Sequence, residues 1–297
     1  MIRACIFDLG GTIVDRYSLT PFLSLKKVFR NYNISVTNKL IFKDMGKNKK
    51  DHLIDILSDQ SVMNQWVNNF HRAPLKKDID SLFNDFNKVQ TKYSEEIVDV
   101  LPETRNCIDY LQFNYIQTGA TTGFNYENMN IIRDKLERKR IYLDSYVSST
   151  CLDKPSRPYP YMIQKNMENL NINDPKEVIK VDDTVVGIQE GLNANCWTVG
   201  VARWSINMNL QSIDDAYGLS INDVQDKLKY SRNVLDNAGA GVPGLERVEV
   251  SIKTWGRTNF ARQGVAGRHM AHVHGAARGA PRPPLRPQGS PLLLQAG

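Results

Sequence analysis

Cysteine is sparse in this sequence and never clustered. Cys5, Cys107, Cys151 and Cys196 stand far apart with no CxxC spacing, which argues against a zinc ribbon or a dithiol redox motif. Three of them lie in or beside apolar runs, so buried free thiols and a reducing, cytoplasmic setting are expected. Long hydrophobic runs are missing too. No stretch approaches the roughly 20 apolar residues that span a bilayer, and Pro291–Leu294 falls far short, so no membrane partner is expected. Nor is a leader peptide, because Ile2–Asp8 already reads as a buried strand. An acidic surplus is also lacking: 38 Lys and Arg against 32 Asp and Glu give a net charge of +6. Residues 241–297 hold eight basic residues against Glu246 and Glu249, so thirty of each sign remain before residue 241. The surplus therefore belongs to the tail, the rest of the chain is neutral, and no nucleic-acid partner is expected of it.

What is present is an ordinary globular composition, 41% hydrophobic and 24% charged over 297 residues, long enough for a core plus an insertion. The run ACIFDLGGTIVD reads as a buried strand ending in Asp and running into a Gly-Gly loop. From about Tyr17 to Asp99 the period is helical. Phe22, Leu23, Val28 and Phe29 mark one amphipathic helix, Leu53, Ile54, Ile56 and Leu57 a second, and Trp66, Phe70, Ile79, Leu82, Phe83 and Phe86 continue the pattern. After Pro102 helices alternate with short apolar strands, predicted at Tyr115–Thr118, Tyr142–Val147, Val178–Val181 and Trp197–Val201. Such βα alternation predicts a doubly wound parallel α/β core from residues 1–16 and 99–240, with 17–98 as a helical cap. Residues 241–297 are Gly-, Pro- and Arg-rich. Val248, Val250 and Ile252 alternate as one possible strand, and the remainder has the composition of a disordered segment.

Several residues in this frame carry chemistry. Asp8 ends the first strand, where open parallel sheets hold their ligands. Gly10 and Gly11 let backbone amides approach an anion, and Thr12 adds a hydroxyl. The second strand leads into Thr121, Thr122 and Gly123, Arg157 offers a planar cation for a phosphoryl group, and Asp183 can face Asp8 across a magnesium ion. Each has a plainer reading: Asp8, Thr122 and Asp183 as turn or helix caps, and Arg157 as a surface charge. Their common order, at the ends of predicted strands, is what favours a shared site.

That order of Asp, Thr, basic residue and Asp resembles the four motifs of the haloacid dehalogenase superfamily over residues 1–240. In its phosphatases a second Asp stands two residues after the nucleophile and protonates the leaving oxygen. Here that position is Gly10. The branch this chain resembles is phosphonoacetaldehyde hydrolase, whose leaving group is a carbanion and which uses a cap lysine in a Met-Gly-x-x-Lys-x-x-His pattern. Met45-Gly46-Lys47-Asn48-Lys49-Lys50-Asp51-His52 fits it and makes Lys49 the imine-forming residue. Ala120–Phe124, Arg157–Tyr161, Asn166–Leu170 and Trp197–Val201 are similar as well. The resemblance implies Asp8 as nucleophile, His52 as proton carrier and Met45 beside Lys49. It also implies a phosphonate held by Thr12, Thr122, Gly123 and Arg157, a magnesium ion on Asp8, the Gly10 carbonyl and Asp183, and a homodimer joined through the cap. Lys47 and Lys50 read as solvated neighbours.

Four departures from the family stand out. The second acid of the fourth motif, four residues after Asp183, is replaced by Gly187, and Asp182 is expected to point away by strand alternation. Phe124 stands where Tyr is frequent, Ser18 where Cys is common, and the family's last strand and helix are replaced after Asn237–Ala240, exposing a sheet edge. These leave open a weakly active or inactive binding relative, and a small-molecule phosphatase is a further alternative. His269, His272 and His274 in the tail read as solvated rather than metal-binding.

Overall fold

The computed structural model describes residues 1–96 and 98–241. The expected tail, its strand at Val248–Ile252 and its three histidines lie outside the described residues. Five parallel strands, β1 (Ala4–Phe7), β2 (Gln117–Thr122), β3 (Ser145–Ser148), β4 (Val178–Asp182) and β5 (Trp197–Gly200), form one sheet in the order β3-β2-β1-β4-β5. β1 is central, with Ala4–Phe7 in register with Gln117–Ala120 on one side and Val178–Val181 on the other. The chain winds outward through β2 and β3, then crosses β1 to build β4 and β5. The topological switch therefore lies beside β1, and the ligand crevice of such a sheet opens at its carboxyl end, where Asp8 follows Phe7. All four β1 side chains are buried, as its unbroken apolar run requires.

Two strands start later than the apolar pattern predicts. Tyr115 is nearly fully exposed in a left-handed turn (φ 59°) that closes the preceding helix, so β2 begins at Gln117. Tyr142 is likewise exposed, and β3 begins at Ser145, after Asp144 has accepted a bond from the Thr118 amide. An aromatic beside a strand can be mistaken for its first residue when only hydropathy is read. The thiols divide as well: Cys5 and Cys196 are buried, Cys107 is half-buried, and Cys151 is exposed.

Between β1 and β2 the chain inserts α1 (Leu19–Asn31), α2 (Asn38–Lys43), α3 (Lys49–Leu57), α4 (Gln60–Phe70) and α5 (Lys76–Glu96), before α6 (Thr104–Phe113) leads back into the sheet. Phe22, Leu25, Val28 and Phe29 of α1 and Leu82 and Phe86 of α5 are buried in the same apolar cluster, and Trp66 of α4 stacks on Tyr32. Side-chain caps on Thr37, Asn48 and Asp59 set where α2, α3 and α4 begin. The insertion leaves and rejoins the core through two adjacent strips, tied by Asp15 N–H to the Asp99 carbonyl (2.9 Å) and Leu101 N–H to the Ile13 carbonyl (2.9 Å). Beyond β2, α7 (Tyr126–Arg138), α8 (Tyr161–Asn169) and α9 (Val185–Asn193) complete the βα repeats, and α10 (Ile213–Tyr217) and α11 (Ile221–Asn237) follow β5. At that edge Gly241 donates to the Thr198 carbonyl (3.0 Å). Among the described residues no helix is long and apolar enough to cross a membrane.

Candidate active site

Asp8 is positioned by the sheet itself. Its amide donates to the Val181 carbonyl (2.8 Å), which holds the carboxyl group over the ends of β1 and β4. Arg157 is buried, not a surface charge, because three partners use its guanidinium. Nη1 donates to Asp8 Oδ1 (2.8 Å), Nη2 to Thr121 Oγ1 (2.6 Å) and Nε to Glu190 Oε2 (2.8 Å). Burial works against its charge, but Glu190, Asp8 and Asp182 outweigh it and hold the group protonated. Lys180 completes the network from within β4. It is fully buried, with Nζ 2.6 Å from Thr121 Oγ1, 3.0 Å from Asp182 Oδ2 and 3.5 Å from Glu190 Oε2. Sequence reading placed Thr121 at the end of the second strand but missed Lys180 and Glu190. Their signal was a lysine inside an apolar strand and a glutamate on the buried face of an apolar helix, both costly unless paired.

Asp8, Asp182 and Asp183 can each turn one carboxylate oxygen to within 4.8 Å of the others, and all three are buried. Strand alternation predicted Asp182 to point elsewhere. It does not, because the strand ends at this residue and the chain turns. Asp182 Oδ1 accepts from the Thr184 amide (2.9 Å) and hydroxyl (2.7 Å), which swings the carboxylate into the site. Burial and then the charge of Asp182 push Asp8 up to about 6, and burial, Asp182 and Asp8 push Asp183 well above the usual carboxylate range. Burial would also raise Asp182, but Lys180 and Arg157 outweigh it and hold it low. Asp8, Asp182, Asp183 and Glu190 thus set four buried carboxylates against two buried basic groups, Arg157 and Lys180. Even with Lys49 as a third buried cation near Asp8 and Asp183 the carboxylates remain in excess, and their converging hard oxygen donors fit one magnesium ion.

The phosphate-loop expectations fare unevenly. Thr12 is buried, but its hydroxyl faces Asp183 Oδ1 (3.4 Å). The amide of Gly11 is committed to the Val14 (2.8 Å) and Asp15 (3.0 Å) carbonyls, and that of Thr12 to Leu9 (3.3 Å), so these donors close their own turn instead of facing a ligand. Gly11 is needed here: at φ +73° a Cβ would collide with the Asp183 carboxylate. Gly10 sits where an added Cβ would be 3.7 Å from Asp15 Oδ2, Ser18 Oγ and the Phe124 ring. Asp15 is itself pushed up to about 7 by burial, against the Thr20 bonds that lower it. Thr122 Oγ1 accepts from the Phe124 amide (3.2 Å) at the end of β2.

From the opposite side the insertion closes over this floor. A Cβ on Gly123 would lie 3.0 Å from the carbonyls of Gly46 and Lys47, and one on Gly46 would reach 2.7 Å from the Thr184 hydroxyl. The loop before α3 therefore presses directly on the ends of β2 and β4. It delivers Lys49, the first residue of α3, into the interior: the side chain is 5% exposed, and Nζ lies 3.8 Å from Met45 Sδ. Burial lowers its pKa to about 8, with Asp8 and Asp183 opposing that shift and Arg157 adding to it. His52, one turn further on, is fully buried, and burial followed by the charge of Lys49 pushes it well below the ordinary histidine range, so it is neutral at pH 7. Lys47 and Lys50 face outward, on Asp44 (2.6 Å) and Asp55 (3.0 Å) and on Asp80 (2.6 Å). A small cavity behind Lys49 is lined by Phe86, Gln90, Phe124, Asn128 and Ser149, and the Gln90 Oε1 and Asn128 Oδ1 atoms there have no hydrogen-bond partner.

The family model of the haloacid dehalogenase-like hydrolases matches residues 5–201. A phosphonoacetaldehyde hydrolase from Paraburkholderia phytofirmans is 33% identical over 225 residues, 75% of this chain and 80% of that protein. A bifunctional phosphonoacetaldehyde hydrolase/aminoethylphosphonate transaminase from Clostridioides difficile is 29% identical over 80% of this chain, which spans only 37% of that longer protein. The crystal structure of a phosphonoacetaldehyde hydrolase-like protein from Oleispira antarctica superposes with a TM-score of 0.77 at 30% identity, covering 80% of this chain and 86% of that one. This chain is an enzyme of the haloacid dehalogenase-like hydrolases and belongs, within them, to the phosphonoacetaldehyde hydrolase family.

Proposed function

We propose that this chain hydrolyses the carbon–phosphorus bond of phosphonoacetaldehyde, giving acetaldehyde and phosphate. One observation carries the reading. A buried lysine with a lowered pKa, Lys49, is brought to the carboxylate floor of Asp8, while the position that would hold an acid for an alkoxide leaving group is Gly10. A carbanion is poorly served by a proton donor and well served by an electron sink, and a lysine imine is one.

In this reading the Lys49 amine adds to the aldehyde and loses water, leaving a protonated imine. An Asp8 carboxylate oxygen attacks phosphorus in line. The carbon–phosphorus bond breaks, and its electron pair passes into the imine to give an enamine on Lys49 and an acyl phosphate on Asp8. The enamine carbon takes a proton, with neutral His52 relaying it through water, and hydrolysis of the resulting imine releases acetaldehyde. A second water cleaves the acyl phosphate. Arg157 holds the phosphoryl group, with Thr122 and Gly123 around it and Met45 shielding the amine from solvent. A magnesium ion on Asp8, Asp183 and the Gly10 carbonyl would supply charge neutralisation at the phosphoryl oxygens. Lys49 and Asp8 come from opposite sides, so turnover requires the insertion to be closed.

Borohydride reduction tests the imine directly. With phosphonoacetaldehyde present, it should fix a secondary amine on the peptide carrying Lys49 and abolish turnover. Lys49→Arg should lose both labelling and activity, whereas Asp8→Ala should keep labelling and release no phosphate. Absence of labelling in a protein that hydrolyses simple phosphate esters would sink the proposal.

A further inference from the structure

The fourth motif of this chain looks incomplete, since Gly187 stands where the superfamily has its second acid. The structure points to where that acid has gone. A Cβ built on Gly187 would fall inside the Asp182 carboxyl group, overlapping Cγ and both oxygens. No relaxation of a flexible tip relieves such an overlap, because Asp182 is fully buried and its Oδ1 is held by two bonds from Thr184. Its Oδ2 makes no hydrogen bond and is matched only by the ion pairs to Lys180 (3.0 Å) and Arg157 (3.5 Å). The carboxylate thus fills the space into which a residue-187 side chain would grow from the first turn of α9.

We propose that Asp182 supplies the second acid of the fourth motif, moved from the helix to the last residue of β4, and that Gly187 is the vacancy this relocation requires. The inference rests on the hydrolase reading of the site and deepens it, assigning a role to a residue that the motif pattern leaves idle. A plainer account would make Asp182 only the counter-ion of Lys180. Two features favour more. One of its oxygens comes within 4.8 Å of those of Asp8 and Asp183. Its charge is also part of what makes the four carboxylates outnumber the buried cations Arg157, Lys180 and Lys49, an excess that favours a bound cation. Asp182 is therefore a positioning residue for the cation, acting beside Asp8 and Asp183.

A swap tests this, read as magnesium affinity by titration calorimetry on the full chain without substrate, with a thermal melt to confirm folding. Asp182→Asn keeps the shape and the Thr184 contacts but removes the charge, and should weaken magnesium about tenfold or more. Gly187→Asp alone should also weaken it, since two carboxylates would compete for one space. The double variant Asp182→Gly/Gly187→Asp returns one carboxylate to that space from the helix side, and should recover affinity to within about threefold of wild type. Wild-type affinity in Asp182→Asn overturns the proposal, and so does a folded double variant no better than Gly187→Asp. Wild-type protein that binds no magnesium overturns it too. Should the double variant not fold, Asp182→Asn decides alone. Failure of the phosphonate reading shows separately, as normal magnesium binding without acetaldehyde release.

Discussion

The two halves of the site handle buried charge in opposite ways. On the floor, Asp8, Arg157, Lys180, Asp182 and Glu190 are packed as alternating charges, with contacts of 2.8 to 3.5 Å, and Arg157 keeps its proton because acids surround it. On the insertion side, Lys49 and His52 are buried just as deeply, yet the Lys49 amine donates to a thioether, Met45 Sδ, at 3.8 Å. There desolvation acts with little compensation, and both groups shift toward their neutral forms. The difference suits the two tasks of the proposed reaction. A phosphoryl group needs fixed charge, while an amine that attacks an aldehyde needs a free lone pair.

The largest effect should come from breaking the floor. Arg157→Met removes the cation shared by Asp8, Asp182 and Glu190 and leaves those carboxylates partly uncompensated. Removing one partner of a buried pair typically costs about 3–5 kcal/mol. Urea unfolding at pH 7 should show a loss of that size, together with loss of turnover. A variant as stable as wild type would mean that the floor is not held by charge pairing.

How much of this was legible in the sequence follows the same division. Asp8 and Asp183 were readable because an acid that ends an apolar run has few places to go except the carboxyl edge of a sheet. The insertion was readable because an unbroken apolar run gives way to a helical period. Lys49 was not readable from physics alone: three lysines lie within four residues, and only the resemblance distinguished the middle one. What was missed required three dimensions. Lys180 stands inside the predicted strand Val178–Val181, and its partners Thr121 and Glu190 lie 59 residues before it and ten after it. Asp182 was misread because alternation was carried one residue too far, past the point where Thr184 turns the chain. The late starts of β2 and β3 arose because hydropathy cannot tell an exposed tyrosine from a buried one.

A smaller effect, of opposite sign, is expected on the insertion side. The Lys49 pKa falls from 10.5 to about 8 on folding, so below pH 8 the protein carries the full cost of burying a charged amine. That cost shrinks as pH rises from about 8 and is gone above about 10.5, where the amine is neutral in both states. Lys49→Met should therefore abolish turnover while stabilising the fold by about 3 kcal/mol at pH 7, from a shift worth roughly 1.4 kcal/mol per unit. The advantage should disappear by about pH 10.5. Denaturant melts at several pH values measure it, and a destabilised Lys49→Met would show that the floor carboxylates, not desolvation, dominate the lysine's surroundings.

The smallest effects should come from the lysines on either side, and they sharpen the comparison because composition is held nearly constant. Lys47 and Lys50 share the loop and first turn with Lys49, yet their ammonium groups lie outside, paired with Asp44 and Asp55 and with Asp80. Burial would lower Lys47, but its bonds to Asp44 and Asp55 outweigh that and raise it, which keeps its lone pair tied up. Half-exposed pairs of this kind contribute about 0–1 kcal/mol each. Arginine preserves the charge at either position, so Lys47→Arg and Lys50→Arg should unfold within about 0.5 kcal/mol of wild type, as surface changes usually do. They should turn over at wild-type rates, and borohydride should still label Lys49 in both. If Lys50→Arg lost labelling as completely as Lys49→Arg, proximity to the floor would not be what selects the reactive amine. The contrast between a charge-paired floor and a desolvating insertion would then no longer explain which lysine reacts.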